Sequence, residues 1–353
     1  MVQEKKLVDE VSGWLKIYDD GSVDRTWSGP DQFKFMAEPA PPHEQFIDGV
    51  AIRDVAVTHG GGQSGHHVRL YLPEIKPEDS QKLPIVLHFH GGGFCISEPD
   101  WFMYYQVYTR FARSTRSIVV SPFLRRAPEH RLPAAIDDGF DTLLWLQTVA
   151  RSGSLEPWLE QHGDFNRVFL IGDSSGGNSV HEVAARAGSA DLSPVRVAGA
   201  IPVHPGFVRS NRSRSEMEMP QTPFLTLDML DKFLALALPV GATKDHPFTC
   251  PMGEAAPPLE GLKLPPVLLC VAEMDLVRDT EMEYYEAMKK ANKDVELYVS
   301  KGMTHSFYLN KIAVDMDPNV SAQTDALISR IKEFIEKHWM DRLSGVAIVF
   351  REA

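Results

Sequence analysis

Cysteine is scarce, at three in 353 residues. Cys95, Cys250 and Cys270 are odd in number, scattered and without paired spacing, which argues against a disulfide framework or a zinc site and fits a reducing compartment. Long apolar runs are missing too. The longest, around residues 234–240, falls far short of the roughly 20 residues that span a bilayer, so no membrane segment is expected. The opening text, MVQEKKLVDEVSGW, lacks the apolar stretch and small-residue cleavage site of a secretory leader. Basic stripes are absent as well. Acidic side chains outnumber basic ones 48 to 36, for a formal net charge of −12, and no Lys/Arg-dense face is offered to phosphates. These absences lead to the expectation of a cytoplasmic or nucleocytoplasmic protein, monomer or homodimer, that binds neither nucleic acid nor membrane.

What the chain does have is length for a large buried core and a repeated alternation of strand and helix patterns. PIVLHFH (84–90), SIVVSPF (117–123), RVFLIG (167–172), VAGAIPVHP (197–205), PPVLLCVAEMD (265–275) and VELYVS (295–300) are β-branched or continuously apolar, as strands covered on both faces should be. Between them lie helical spacings. Val180, Val183, Ala184 and Ala187 fall at i, i+3, i+4 and i+7 ahead of a capping Gly188, and Leu327, Ile331, Phe334 and Ile335 repeat the pattern. The alternation predicts an α/β fold with a mostly parallel central sheet and helices on both faces.

The ends and one interruption read differently. Asp20-Gly21 between two short apolar-bearing runs predicts a hairpin within residues 1–48, an N-terminal arm packing on a main domain of residues 49–338. Residues 206–260 break the rhythm with Ser/Arg/Met/Pro-rich text and then DMLDKFLALAL, an insertion placed to form a lid together with the arm. For the tail, 339–353, the pattern leaves an extra strand and a loose end both open.

The stretch VFLIGDSSGGNSVHEVAARAG (168–188) starts as a buried strand and resumes as a helix, with only a few residues in which to reverse. Gly172-Asp173-Ser174-Ser175-Gly176 matches the Gly-x-Ser-x-Gly nucleophile elbow, with Ser174 at the apex and small neighbours sparing it clashes. Ser175 would open the helix with its backbone N–H free. A serine hydroxyl needs a base to take its proton and a carboxylate to orient that base. In the elbow's usual setting these follow in the order acid then histidine, each at a later strand end. Asp275 ends PPVLLCVAEMD, and His305 sits in the loop GMTHSF after VELYVS. Asp279 is the rival carboxylate but reads as the N-terminal cap of the helix around TEMEYYEAMKK, and Asp173 lies too near the turn. After PIVLHFH comes Gly91-Gly92-Gly93, where the N–H groups of Gly92 and Gly93, with that of Ser175, would serve an oxyanion.

The segments HGGGF (90–94), APEHRLPAAIDDG (127–139), GDSSGGN (172–178), AEMDLVRD (272–279) and MTHSFYL (303–309) resemble those of the hormone-sensitive-lipase-like α/β-hydrolases and, within them, the plant carboxylesterases. VSGWLKIYDDGSVDRTW, PGFVRS and QTPFLTLDMLDKFLALALPVG further resemble the hypersensitive-response-related plant esterases. The resemblance implies an α/β-hydrolase fold, a triad of Ser174, Asp275 and His305, oxyanion donors at Gly92, Gly93 and Ser175, and no metal or cofactor. Glu129, His130 and Asp137 are expected to brace loops. Many relatives carry Tyr-Arg-Leu where this chain has Leu124-Arg125-Arg126, a departure expected to alter packing more than chemistry.

These readings converge on a serine carboxylesterase that hydrolyses a small to medium apolar ester or lactone through an acyl-enzyme on Ser174. Its pocket is expected to be lined by Phe94, Trp101 and Phe102 after the glycine turn, with Phe207, Phe224, Leu225, Phe233 and Phe307 around the lid and base. Two alternatives stay open. Similar plant proteins include dehydratases and cyclases using the same pocket, and hormone receptors that lack the histidine, which is present here as His305.

Overall fold

The computed structural model describes residues 5–58, 64–76 and 81–349. The arm opens with β1 (Leu7–Val11), β2 (Leu15–Tyr18) and β3 (Val23–Asp24), a small antiparallel sheet in which Ile17 faces Val23 across the Asp20-Gly21 turn. Gly21 has φ 79°, the left-handed backbone that glycine tolerates without strain. Strand β4 (His43–Ile47), within the stretch assigned to the arm, instead pairs with β5 (Val50–Thr58) and so begins the main sheet. β6 (Ser64–Pro73) follows antiparallel to β5.

From there strands and helices alternate: β7 (Leu83–Phe89), α1 (Phe102–Thr115), β8 (Ile118–Pro122), α2 (Ala134–Ser152), α3 (Pro157–His162), β9 (Gly163–Asp173) and α4 (Ser175–Ala187). After β10 (Val197–Val203) come α5 (Arg214–Glu218) and α6 (Leu227–Ala237), then β11 (Val267–Ala272), α7 (Arg278–Lys290), β12 (Val295–Ser300), α8 (Lys311–Met316) and α9 (Pro318–Val349). Among the described residues the main sheet has nine strands in the order β12-β11-β10-β9-β7-β8-β6-β5-β4. Its six strands from β7 to β12 run parallel, and β6, β5 and β4 add an antiparallel edge. Every residue of β7, β8 and β11 is buried, which is why those runs are continuously apolar rather than alternating. The tail differs from both options left open by its sequence, because α9 stays helical through Val349. On its inner face Phe334 is fully buried against the Phe169 ring at 6.3 Å, a burial that contributes about 1.5–3 kcal/mol. Among the described residues no helix is long and apolar enough to cross a membrane.

Two polar tethers hold the arm over the sheet's C-terminal edge. Arg25 donates to the carbonyls of Cys95 (2.6 Å) and Ala127 (2.9 Å) and forks onto Glu129. Lys232 of α6 bonds Asp9 at 2.9 Å and the Glu10 carbonyl at 2.8 Å, which pulls the Asp9 carboxyl below its usual range. The arm is thus joined to α6 and to the loops that follow β7 and β8, at the strand ends where open α/β sheets bind ligands.

Candidate active site

Ser174 follows the last residue of β9 and precedes α4, with φ 52° and ψ −123°. Such a backbone costs on the order of 1–3 kcal/mol and persists only when its surroundings hold it. Here they do so with three bonds: the Ser174 N–H donates to the Val203 carbonyl at 3.0 Å, and its carbonyl accepts from Gly177 (2.8 Å) and Gly206 (3.0 Å). Close packing adds to the constraint, since a Cβ on Gly176 would stand 2.0 Å from the Phe89 carbonyl oxygen. Ser175 has a structural bond instead. Its buried hydroxyl accepts from the Phe94 N–H at 3.2 Å and so ties the start of α4 to the glycine turn.

Asp275 and His305 lie beyond the ends of β11 and β12, and the two loops bring Asp275 Oδ2 to 2.7 Å from His305 Nδ1. Both residues are buried. The other Asp275 oxygen accepts from the Val277 N–H at 3.1 Å, so the carboxylate is fixed at both ends. His305 Nε2 is buried without a partner among the described residues, and His305 borders the same cavity as Ser174. Asp279 is not the helix cap expected of it: Val277 takes that position, without side-chain capping. Instead Asp279 accepts from the Ser215 N–H (2.8 Å) while its own N–H donates to Ser215 Oγ (3.1 Å), joining α5 to α7.

One turn along α7 the Glu281 carboxyl is fully buried and neither of its oxygens has a hydrogen-bond partner among the described residues. Burial pushes its pKa well above 4.5, the Asp275 charge pushes the same way, and Arg278 opposes them. A raised carboxyl pKa means that the folded state holds a proton which the unfolded chain releases. The associated stability is therefore fully present below about pH 4.5 and lost as pH rises toward the folded value. Glu281→Gln is expected to gain on the wild type in urea midpoint more at about pH 8 than at about pH 4.5; a pH-independent difference would disprove the assignment.

The glycine turn after β7 rests on a buried polar network. The Gly91 N–H donates to the Tyr104 hydroxyl (3.0 Å), which donates to Asp173 Oδ2 (3.1 Å), while His88 bridges Asp173 Oδ1 (3.3 Å) and Ser121 (2.6 Å). Burial lowers the His88 pKa and takes that of His90 to about 4, so both rings are neutral. Asp173 is thus committed beneath the turn. Gly92 and Gly93 have φ 97° and 60°, and a Cβ on Gly93 would meet the Phe233 ring at 2.6 Å, so the turn and α6 pack closely against each other. No acceptor among the described residues takes the N–H of Gly92, Gly93 or Ser175.

Ser174, His305, Gly92, Gly93 and Ser175 border one cavity of about 690 Å³, counting its open mouth. Of the pocket residues expected, Phe94, Phe224, Leu225 and Phe233 line it. Four others do not. Trp101 backs the lining residue Trp14, stacked on it at 5.9 Å, and Phe102 packs between Phe35 and Tyr105. Phe207 is fully buried on Tyr284 at 4.6 Å, and Phe307 packs on His204 at 5.8 Å. The wall also holds Trp14, Met229, Leu230, Leu234, Ser306 and Leu309. Spacing offered a signal for the three α6 residues, since Met229, Leu230, Phe233 and Leu234 share one helical face; nothing in the arm's composition marked Trp14. Glu129 braces a loop as expected, through Arg25, which also bonds the Cys95 and Ala127 carbonyls; Asp137 pairs with Arg186 instead, and Asp138 accepts from the Arg125 N–H at 2.7 Å and pairs with its guanidinium. No group of three or more His, Cys, Asp or Glu among the described residues is arranged to hold a metal.

Known proteins resemble this chain in sequence and fold. A family model described as the alpha/beta hydrolase fold matches residues 86–309. Probable carboxylesterase 6 of Arabidopsis thaliana is 35% identical over 91% of both chains. Tuliposide A-converting enzyme 1, chloroplastic, of Tulipa gesneriana is 34% identical over 89% of this chain and 76% of its own. Among solved structures, a hyperthermophilic esterase from the archaeon Pyrobaculum calidifontis superposes with a TM-score of 0.64 at 25% identity, covering 86% of this chain and 88% of that one. The chain therefore belongs to the α/β-hydrolase fold family and, within it, to the plant carboxylesterases.

Proposed function

We propose that this protein hydrolyses a small to medium, largely apolar carboxylic ester or lactone through an acyl-enzyme on Ser174. The observation that carries the reading is the Asp275–His305 bond at 2.7 Å, which leaves His305 Nε2 unpartnered on a cavity shared with Ser174. With Asp275 holding the Nδ1 proton, Nε2 is the acceptor and takes the Ser174 proton as Oγ attacks the ester carbonyl. The oxyanion forms among the N–H groups of Gly92, Gly93 and Ser175. The alcohol leaves with the proton from His305, water enters by the reverse route, and the carboxylic acid departs. Aromatic and aliphatic walls from α6 and the arm supply apolar burial for the substrate.

Two tulip relatives are named tuliposide A-converting enzymes, and conversion of a plant metabolite by such relatives lends some support to a second reading, in which the same pocket here catalyses elimination or cyclisation. Product mass separates the two, since hydrolysis adds the elements of water. The acyl-enzyme itself is tested with phenylmethylsulfonyl fluoride and peptide mass spectrometry. One adduct per chain on Ser174, formed in step with loss of p-nitrophenyl butyrate turnover, is expected; full activity in a fully modified Ser174 population would end the reading.

A further inference from the structure

The cavity wall is apolar along α6, yet two of the residues that line it, Ser306 and Trp14, each carry a buried polar atom with neither partner nor assigned role. Ser306 follows His305, is 3% exposed, and its hydroxyl has no hydrogen-bond partner among the described residues. Its position is fixed from behind: with φ 48° and ψ 32°, its N–H donates to His204 Nδ1 at 3.0 Å. His204 is fully buried at the end of β10 with its pKa pushed down to about 4 by burial, so the ring is neutral and Nδ1 stays an acceptor. Trp14, from the arm, is 4% exposed and its indole Nε1 likewise has no partner. Trp27 at 4.4 Å and Trp101 at 5.9 Å clamp that ring. The other polar lining groups are occupied. Ser175 accepts from Phe94, Asp173 from Tyr104 and His88, Ser97 lies against the Tyr104 hydroxyl, and Ser174 and His305 belong to the chemistry above.

A polar atom buried without a partner already carries its desolvation cost in the free protein, so a ligand oxygen that meets it strengthens binding and discriminates against ligands lacking that oxygen. An indole N–H only donates, and a serine hydroxyl donates or accepts. Resting on the hydrolase reading, we propose that Ser306 Oγ and Trp14 Nε1 form a polar subsite for a second oxygen of the substrate, a hydroxyl, ether or carbonyl separate from the scissile ester. The substrate class narrows accordingly from plain apolar esters to oxygenated ones.

The test uses two matched pairs, with kcat/KM followed by acid release. Ethyl 3-hydroxybutyrate against ethyl 3-methylbutyrate places the hydroxyl on the acyl side; 2-hydroxyethyl butyrate against propyl butyrate places it on the alcohol side. Comparing each ratio between the wild type, Ser306→Ala and Trp14→Phe cancels the intrinsic reactivity of the esters. In one pair the preference for the hydroxylated member is expected to fall about fivefold to tenfold in each variant, and that pair identifies the side. Ratios unmoved in both variants, with turnover of all four esters, would overturn the subsite and leave the hydrolase reading standing. No turnover of any ester by the wild type would count against the hydrolase reading instead. Calorimetric binding of the same pairs to Ser174→Ala then decides the subsite: tighter binding of a hydroxylated member supports it, and equal binding within both pairs overturns it.

Discussion

Ser174→Ala is expected to lower kcat for p-nitrophenyl butyrate by on the order of 10⁶ while leaving the thermal midpoint within a few degrees of the wild type. The size follows from what is removed. On the proposed mechanism the other cavity-lining groups remain, but no atom is left to form the acyl bond, and His305 Nε2 would have nothing to deprotonate except water. Folding should survive because the elbow's strained backbone is held by bonds from main-chain atoms of Ser174, which alanine retains. Ser175→Ala is the control that distinguishes the two adjacent serines. Its backbone N–H persists, but the Phe94 N–H loses its acceptor, an unpaired buried donor worth about 1–3 kcal/mol. Expressed through the glycine turn, that is a loss of roughly ten- to hundredfold, four or more orders of magnitude short of the Ser174 effect. Equal losses in the two variants would place the nucleophile elsewhere.

How much of this was readable beforehand depends on the range of the signal. The parallel strands were legible because burial on both faces forces continuous apolar runs such as those of β7 and β11, and a strand end is where a loop residue enters the site. That rule, with the acid-then-histidine order expected after an elbow, selected Asp275 and His305, which the structure brings within hydrogen-bond reach across two loops. Strands β5 and β6 were harder to read. Exposed and polar positions interrupt their apolar ones, as at Asp54 and His67, so no continuous run announces them. The aromatic wall was half legible for a different reason. Sequence shows that Phe207 and Phe224 are apolar and near the insertion, but not that one sinks onto Tyr284 while the other borders the cavity. Trp14 and Ser306 could not be found at all by local pattern. Their interest lies in a missing hydrogen-bond partner, a property of the packed chain rather than of neighbouring letters.

Asp275→Asn is expected to cost on the order of 10⁴ in kcat, the size of loss that follows a tautomer reversal in a serine triad. The surrounding bonds dictate why. The Val277 N–H, 3.1 Å from Oδ1, requires an acceptor, so the new amide must turn its oxygen there and present its NH₂ to His305. His305 Nδ1, at 2.7 Å, then has to accept, which moves the ring proton to Nε2 and removes the lone pair that Ser174 needs. Overlay and stability should both be nearly preserved, because the amide fits the same two bonds. Activity should recover in part as pH rises and hydroxide substitutes for the lost base, so log kcat should climb with pH in the variant beyond the point where the wild type is flat. Asp279→Asn separates orientation from mere proximity of charge. Asp279 bonds Ser215 and Arg278 and never reaches the histidine, so that variant should lose less than about tenfold, the worth of one ordinary hydrogen bond. A larger loss at Asp279 than at Asp275 would reverse the assignment of the orienting carboxylate and leave the 2.7 Å bond as a structural clasp between two loops.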